Sequence, residues 1–499
     1  MKIHLALVGL IFIIFGCNEN NVLTVINGKL IGSDLEDVYL YKPINDISYY
    51  WGFADTVKCN ASGEFQIQLE NKETVIIKIY SSKKACELIV EPGKEYNFTL
   101  DLTKEEDFIS VTGPNSEGQH IYNALERPWS IEFDAEKYAK DTIANVVQEK
   151  IAQRKLVELS KYDSLYDMGG ITEGFMDFVK KDIDCYYASI TACVAFLKYA
   201  KTRYPKEHPE YEESFPEDFE QMWDDIFLEY PVDSDQYIAS PAWYEYAQNY
   251  VHSYMDYKNK KPGDRDLYMK LRENNAYYSY RLGSAESYLM GKGLEFYRAQ
   301  YIYYEAYQKQ YEKGLITVYD QFAIDYPKSE YIAYLEPVIQ PVRDFHLISE
   351  IDFPETVSFV ENYENANSLA EILSSFKGKP VFIDVWATWC GPCIREFKYN
   401  PALKKFLKEN DVEVLYISID KDDYEEKWEQ MIKYYDLKGA HIRANTQLSD
   451  DLKRVYRNGS LAIPWYLIID SSGNIVVEHA KMPSSKEELY KQIKGVLNI

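Results

Sequence analysis

Cys390 and Cys393 stand two residues apart in Trp389-Cys390-Gly391-Pro392-Cys393. Two thiols this close can close a small disulfide ring and reopen it, the minimum equipment for thiol–disulfide exchange. That chemistry needs a thiolate, because the thiolate is the nucleophile. Upstream, the apolar run Val381 to Trp386 reads as a strand, and the residues after Cys390 read as the start of a helix. Cys390 then lies at a helix N-terminus, where the partial positive charge of unpaired N–H groups favours thiolate over thiol. Cys393 lies one turn deeper, placed to attack a mixed disulfide from behind. Zinc is the first rival for two cysteines at this spacing. No second pair follows at finger or ribbon spacing, so no metal is expected.

The elements around the pair read as a domain over 351–499. Ser368 to Phe376 is a short helical segment, and Gly378-Lys379-Pro380 turns into the strand Val381 to Trp386. A helix is expected from Cys390 towards Glu409, then a strand Val412 to Ile419 and a helix Tyr424 to Tyr435. Trp465 to Asp470 is a strand, Ser471-Ser472-Gly473-Asn474 turns it into Ile475-Val476-Val477, and Ser485 to Leu497 is a final helix. This order predicts an α/β domain with a mixed sheet.

Residues 116–350 read as an all-α region rich in tyrosine. Ala135 to Leu159 holds no Gly or Pro and is expected to be one helix; Phe175 to Tyr199 and Ala285 to Lys313 are expected to be two more. In the last, Tyr297, Tyr301, Tyr304, Tyr307 and Tyr311 recur at spacings of three and four, on one predicted face. Such a face is either an aromatic groove for a peptide or glycan or a seam between packed helices; spacing alone does not separate the two. Residues 22–115 read instead as short strands divided by turns such as Asn60-Ala61-Ser62-Gly63 and Glu91-Pro92-Gly93-Lys94. The expectation there is an antiparallel sandwich or small barrel with no catalytic constellation.

Composition sets the outer limits. At 499 residues the chain exceeds one core, and 46% hydrophobic with 27% charged residues is a globular balance. A net charge of -25 argues against nucleic acid, whose phosphates need a basic face. Lys2 precedes an apolar run, Leu5 to Phe15, too short to span a bilayer comfortably. It ends at Gly16-Cys17 before the polar Asn18-Glu19-Asn20-Asn21, and this resembles the lipobox of bacterial lipoproteins. The resemblance implies a signal peptide over 1–16 and a lipid on Cys17 in the spacer 17–21, so that the mature chain is anchored rather than integral. Of the remaining cysteines, Cys59 and Cys86 either bridge or stay as two buried thiols. Cys185 and Cys193 fall on one helix about 12 Å apart, too far to bridge.

The stretch Val385-Trp386-Ala387-Thr388-Trp389-Cys390-Gly391-Pro392-Cys393 resembles the thioredoxin active site. With the lipoprotein start, the chain is similar to the membrane-anchored TlpA/ResA-like thiol–disulfide reductases, the thioredoxin likeness covering about 360–499. The upstream strands resemble the β domain found ahead of such domains. The resemblance implies a multidomain chain: a β sandwich or barrel, a helical domain and a C-terminal thioredoxin fold. It also implies that Asp384, six residues before Cys390, is buried with a raised pKa and takes the proton of Cys393. Glu396 matches an active-site glutamate of the anchored reductases. Pro464 takes the place of a cis-proline facing the disulfide, so that the Ile463 backbone would pair with a substrate chain. Trp389, Gly391 and Pro392 complete the implied substrate-binding set.

Three departures from the family pattern bear on redox potential more than on fold. Lys398 stands where thioredoxins kink the first helix with proline, and the proline comes at Pro401. Trp465-Tyr466 follows Pro464 in place of a small polar residue, and Leu415-Tyr416-Ile417-Ser418 lacks the charge-balancing lysine. A peroxiredoxin needs threonine three residues before its reactive cysteine, and Thr388 is two before Cys390.

The reading is an exported, lipid-anchored thiol–disulfide oxidoreductase of the bacterial envelope, facing the periplasm and acting as a reductase. It needs no cofactor beyond the redox disulfide, acts on protein or peptide disulfides and is recharged by a membrane thiol donor. The rival is a surface lipoprotein that binds peptide or glycan through its helices, with the thioredoxin fold in support.

Overall fold

A computed structural model describes residues 23–32, 38–44, 47, 52–81, 84–202, 214–260, 265–308, 311–456 and 461–499. The signal segment and Cys17 lie outside the described residues. The chain divides into two compact units, 1–339 and 340–499.

Among its described residues the first unit opens with the strands β1 (Leu23–Ile31), β2 (Val38–Tyr41), β3 (Ala54–Val57), β4 (Glu64–Glu70), β5 (Val75–Ser81), β6 (Lys84–Val90), β7 (Glu95–Asp101) and β8 (Ile109–Thr112). They form two four-stranded sheets, ordered β4-β1-β7-β8 and β3-β2-β5-β6. All neighbours are antiparallel except the parallel pair β1–β7. Alternation explains the sandwich: in β4, Phe65, Ile67 and Leu69 are buried while Glu64, Gln66, Gln68 and Glu70 face water. Ile26, Phe65, Ile67 and Phe98 of one sheet share a core with Leu40, Ile77, Ile79 and Leu88 of the other. Gly28 is required where it stands, since a Cβ there would lie 2.3 Å from the Phe65 ring. Cys59 and Cys86 are not bridged, and burial pushes the Cys86 thiol up.

Among the described residues the α-helices that follow are α1 (Ser116–Asn123), α2 (Ile131–Ala135), α3 (Ala144–Asp167), α4 (Glu173–Lys201), α5 (Glu217–Glu229), α6 (Trp243–Asn249), α7 (Met255–Lys258), α8 (Arg265–Glu273), α9 (Tyr277–Glu286), α10 (Gly291–Tyr307), α11 (Lys313–Asp325) and α12 (Ile332–Ser349). The amides of α1 reach the outer edge of β6. Gln119 Oε1 accepts Ile89 N–H at 3.0 Å and Gln119 Nε2 donates to Ile89 O at 2.6 Å. Asn123 does the same for Glu87, at 2.8 and 2.7 Å. Side chains four apart on a helix thus match backbone groups two apart on a strand.

Two expected helices are broken. The chain from Ala135 to Leu159 is not one helix: α2 ends at Ala135 and α3 begins at Ala144. Buried Asp134 accepts from Tyr186 Oη at 2.6 Å and pairs with Arg154 at 2.8 Å, which holds α2 as a separate piece against α4. This is a tertiary demand that overrides helix propensity. The stretch Ala285 to Lys313 also divides, because Gly291 has φ +56° and α10 stops at Tyr307. Tyr311, at φ +52°, is off that helix. The tyrosine stripe is split accordingly: Tyr297 and Tyr301 are buried, while Tyr304 and Tyr307 are exposed. Tyr162, Tyr187, Tyr246, Tyr278 and Tyr331 are also fully buried, which makes tyrosine a main core residue of this region. Cys185 and Cys193 lie on α4, unbridged.

The second unit holds β9 (Val357–Phe359), α13 (Leu369–Leu373), β10 (Val381–Trp386), α14 (Gly391–Glu396), α15 (Asn400–Glu409), β11 (Glu413–Ser418), α16 (Glu425–Tyr434), β12 (Gly439–Arg443), α17 (Thr446–Tyr456), β13 (Trp465–Ile469), β14 (Ile475–Val477) and α18 (Glu487–Leu497). The sheet order is β14-β13-β10-β11-β12-β9; β13 is antiparallel to both its neighbours, β14 and β10, and the remaining pairs are parallel. This is the mixed sheet of a thioredoxin-like fold. β10 is central and every residue of it is buried, which is why it reads as an unbroken apolar run around Asp384. The expected single helix from Cys390 to Glu409 is α14 and α15 joined by a 3-10 turn, Phe397–Tyr399. Pro401 begins the second piece, where its missing N–H has no helical acceptor to lose.

Candidate active site

The site is built where β10 runs into α14. Cys390 is the N-cap of α14, and its Sγ accepts the Cys393 backbone N–H at 3.1 Å. Gly391 and Pro392 occupy the first helical positions; proline fits there because that N–H would have no intrahelical partner. Cys390 and Cys393 form a disulfide with Cα atoms 5.3 Å apart. The two sulfurs are not equivalent. Cys390 is 4% exposed beside Trp389, which is 60% exposed, whereas Cys393 is fully buried. The hydrogen bond to the Cys390 sulfur favours thiolate over thiol at that position.

Asp384 lies on the same strand, one register step from tyrosine on both sides: it pairs with Tyr416 of β11 and Tyr466 of β13. All three are 2% exposed. Burial, reinforced by Glu396 and opposed by Lys404, pushes the Asp384 carboxyl up to about 8. Its Oδ1 has no hydrogen-bond partner in the disulfide form. A carboxyl held this high has a proton affinity close to that of an ordinary thiol, near 8.5. Glu396 is half-buried and accepts Ser484 N–H at 2.8 Å, so it ties α14 to the segment before α18. The Ile463–Pro464 bond is cis, directly before β13, and both residues are half-buried. The bulky residues after it are absorbed by the core. Trp465 Nε1 donates to Glu478 O at 2.6 Å, and Tyr466 stacks on Phe382 with centroids 5.7 Å apart.

Some neighbours of the site carry weak sequence signals. Lys404 comes from α15, not from the neighbouring strand β11. It donates to Asp436 O, lies 5.7 Å from the Tyr416 ring, and burial pulls its ammonium down to about 8. His441 stacks on Tyr416 at 4.8 Å, and burial pulls it down to about 3. Asp420 accepts from Thr388 just ahead of Cys390. Its signal was its place after the C-terminal end of a central strand, where α/β sheets gather their sites. Among the described residues no group of three or more His, Cys, Asp or Glu could hold a metal ion.

Residues 355–493 match the family model described as Redoxin. The chain is 32% identical over 124 residues to "Thiol-disulfide oxidoreductase ResA" of Bacillus thuringiensis subsp. konkukian, 25% of this chain and 67% of that relative. ResA of Geobacillus kaustophilus is 29% identical over 124 residues, with the same two coverages. Among solved structures, a putative thiol-disulfide oxidoreductase from Bacteroides vulgatus is 34% identical, covering 25% of this chain and 83% of that one, with a TM-score of 0.21.

Proposed function

We propose that this chain, which belongs to the ResA family of thiol–disulfide oxidoreductases, is an exported, lipid-anchored reductase that cycles Cys390 and Cys393 between dithiol and disulfide. The observation that carries the cycle is the asymmetry of the pair: Cys390, the N-cap of α14, keeps 4% exposure beside the exposed Trp389, while Cys393 is fully buried. Cys390 thiolate attacks one sulfur of a substrate disulfide; a mixed disulfide forms and the other substrate sulfur leaves as thiolate. Cys393 then gives its proton to the Asp384 carboxylate and attacks Cys390 Sγ. The mixed bond breaks, the substrate leaves as its second thiolate, and two electrons have passed to it. A thiol donor at the membrane returns two electrons to the pair. Asp384, at about 8, is then in its proton-holding state when the disulfide has closed, consistent with its role as acceptor.

Trp389, Gly391, Pro392 and the Ile463–Pro464 backbone are the surface on which the substrate chain would lie, the cis peptide presenting Ile463 for a short β-like contact. Glu396 adds negative charge near Asp384 and so helps to keep its proton affinity high. The apolar run before Cys17 supports export and lipid attachment, with the folded part in the periplasm. Among the described residues no helix is long and apolar enough to cross a membrane. The test is the reduction potential of the pair in thiol buffers. A value near about −270 mV is expected of a reductase; about −120 to −180 mV would make the protein an oxidant or isomerase.

A further inference from the structure

The loop that delivers Cys390 is held from below by a buried carboxylate. Between the end of β10 and the cysteine lie Ala387, Thr388 and Trp389. Thr388 is bonded twice to Asp420: its N–H donates to Oδ2 at 2.8 Å and its hydroxyl donates to Oδ1 at 2.8 Å. Ser418 Oγ–H donates to Oδ2 at 2.8 Å, and the Asp420 N–H returns a bond to Ser418 Oγ at 3.0 Å. Ile419 N–H donates to Trp386 O at 3.0 Å, and Cys390 N–H closes the turn onto Ala387 O at 3.0 Å. Asp420 is 1% exposed and Ser418 fully buried, with Thr388 buried beside them.

All three donors to this carboxylate are neutral, one backbone N–H and two hydroxyls. A buried carboxylate is costly to desolvate, and an apolar residue of similar volume would stabilise such a position at least as well. Burial indeed raises the Asp420 pKa, with the three donors and the charge of Lys427 opposing it. What the carboxylate provides is direction: two oxygens grip two atoms of one residue, two places before the nucleophile.

We propose that Asp420 is a positioning residue for thiol–disulfide exchange, its grip on Thr388 holding the Ala387–Trp389 loop so that Cys390 Sγ stays at the mouth of α14. The inference rests on the reading of Cys390 as the attacking thiol. Without the grip, Thr388 N–H loses its acceptor, the loop can turn, and Cys390 Sγ leaves the Cys393 N–H that it accepts at 3.1 Å. That loss raises the Cys390 thiol pKa and slows attack, without altering any group that touches the sulfurs.

The experiment uses the whole reduced chain with oxidised glutathione and a disulfide-bonded peptide as probes, at a temperature far below unfolding. Three quantities are measured for each variant: the exchange rate constant, the Cys390 pKa from thiolate absorbance, and the melting temperature. Asp420→Ala is expected to slow exchange about tenfold and raise the Cys390 pKa. Asp420→Asn, which keeps an acceptor for Thr388 N–H, should recover most of the rate. Should Asp420→Ala not fold, the pair Thr388→Val and Thr388→Ser decides: Val loses one of the two bonds and should slow exchange about threefold, while Ser should match wild type. A lowered melting temperature with unchanged exchange and unchanged Cys390 titration means a purely structural role and overturns the inference. An unreactive wild type overturns the Cys390/Cys393 cycle as well, which separates the two failures.

Discussion

Replacing Asp384 with Asn should remove a pH dependence whose size follows from its burial. In the unfolded chain this carboxyl titrates near 3.8, and in the fold it titrates at about 8. Between those values the folded state holds a proton that the unfolded state has released, so stability falls as pH rises, by about 1.4 kcal/mol per unit. The contribution is fully present below pH 3.8 and is lost by the time pH passes through the folded value. The loss is about 4 kcal/mol by pH 7 and about 5 kcal/mol by pH 8. Asn cannot ionise, so the gap between variant and wild type must move in favour of the variant by these amounts as pH rises from 4. Other titrating groups are present in both proteins and cancel from the difference. Amide hydrogen exchange over Val381–Trp386, read by mass spectrometry on the oxidised chain, measures the opening free energy of β10 in place. Comparing both proteins at the same pH removes the intrinsic exchange rate. The ratio of protection factors should shift about a thousandfold between pH 4 and 7. A ratio that stays flat, or moves towards wild type, would refute the raised carboxyl and with it the proton acceptor.

Three further outcomes follow from the same geometry. Cys393→Ser should accumulate a mixed disulfide with a peptide substrate, visible as added mass, while Cys390→Ser should form none; equal adducts on both would reverse the assigned order of attack. His441 is buried and neutral, held down to about 3, so its contribution is present above pH 6.5 and is lost as pH falls towards 3. His441→Phe should therefore lose less stability than wild type on acidification over that window, measured by the same exchange. Gly28→Ala should lower the unfolding free energy of the first unit by about 1–3 kcal/mol, because the new methyl collides with the Phe65 ring; an unchanged free energy would mean that the ring yields freely.

Much of the candidate site was legible because it is local. The cysteine pair, the buried strand Val381–Trp386 and the Ile463–Pro464 peptide each announce themselves within a few residues, and the thioredoxin likeness joins them. Asp384 could be read as buried because it interrupts a strand with no polar alternation. What was hidden depends on distant partners. Ala135 to Leu159 has helical propensity throughout, yet Asp134 is claimed by Tyr186 and Arg154, residues that pattern alone does not place together. β9 and β12 are only three and five residues long, too short to show a period, and exist because they pair with each other and with β11. Lys404 is 20 residues from Asp384 in sequence and on a helix, so a search of the neighbouring strand could not find it. Tyr297 and Tyr304 share a helical stripe, yet one is core and the other solvent-facing.

The seam between α1 and β6 also governs what the sandwich can recruit. β6 ends its sheet, and an unprotected terminal strand is a template on which a foreign extended chain, or a second copy, can grow the sheet. Here an invading strand would first have to strip four amide bonds, made by Gln119 and Asn123, from Glu87 and Ile89. Along this border the domain is proofed against polymerisation, and truncating both side chains to alanine would reopen it.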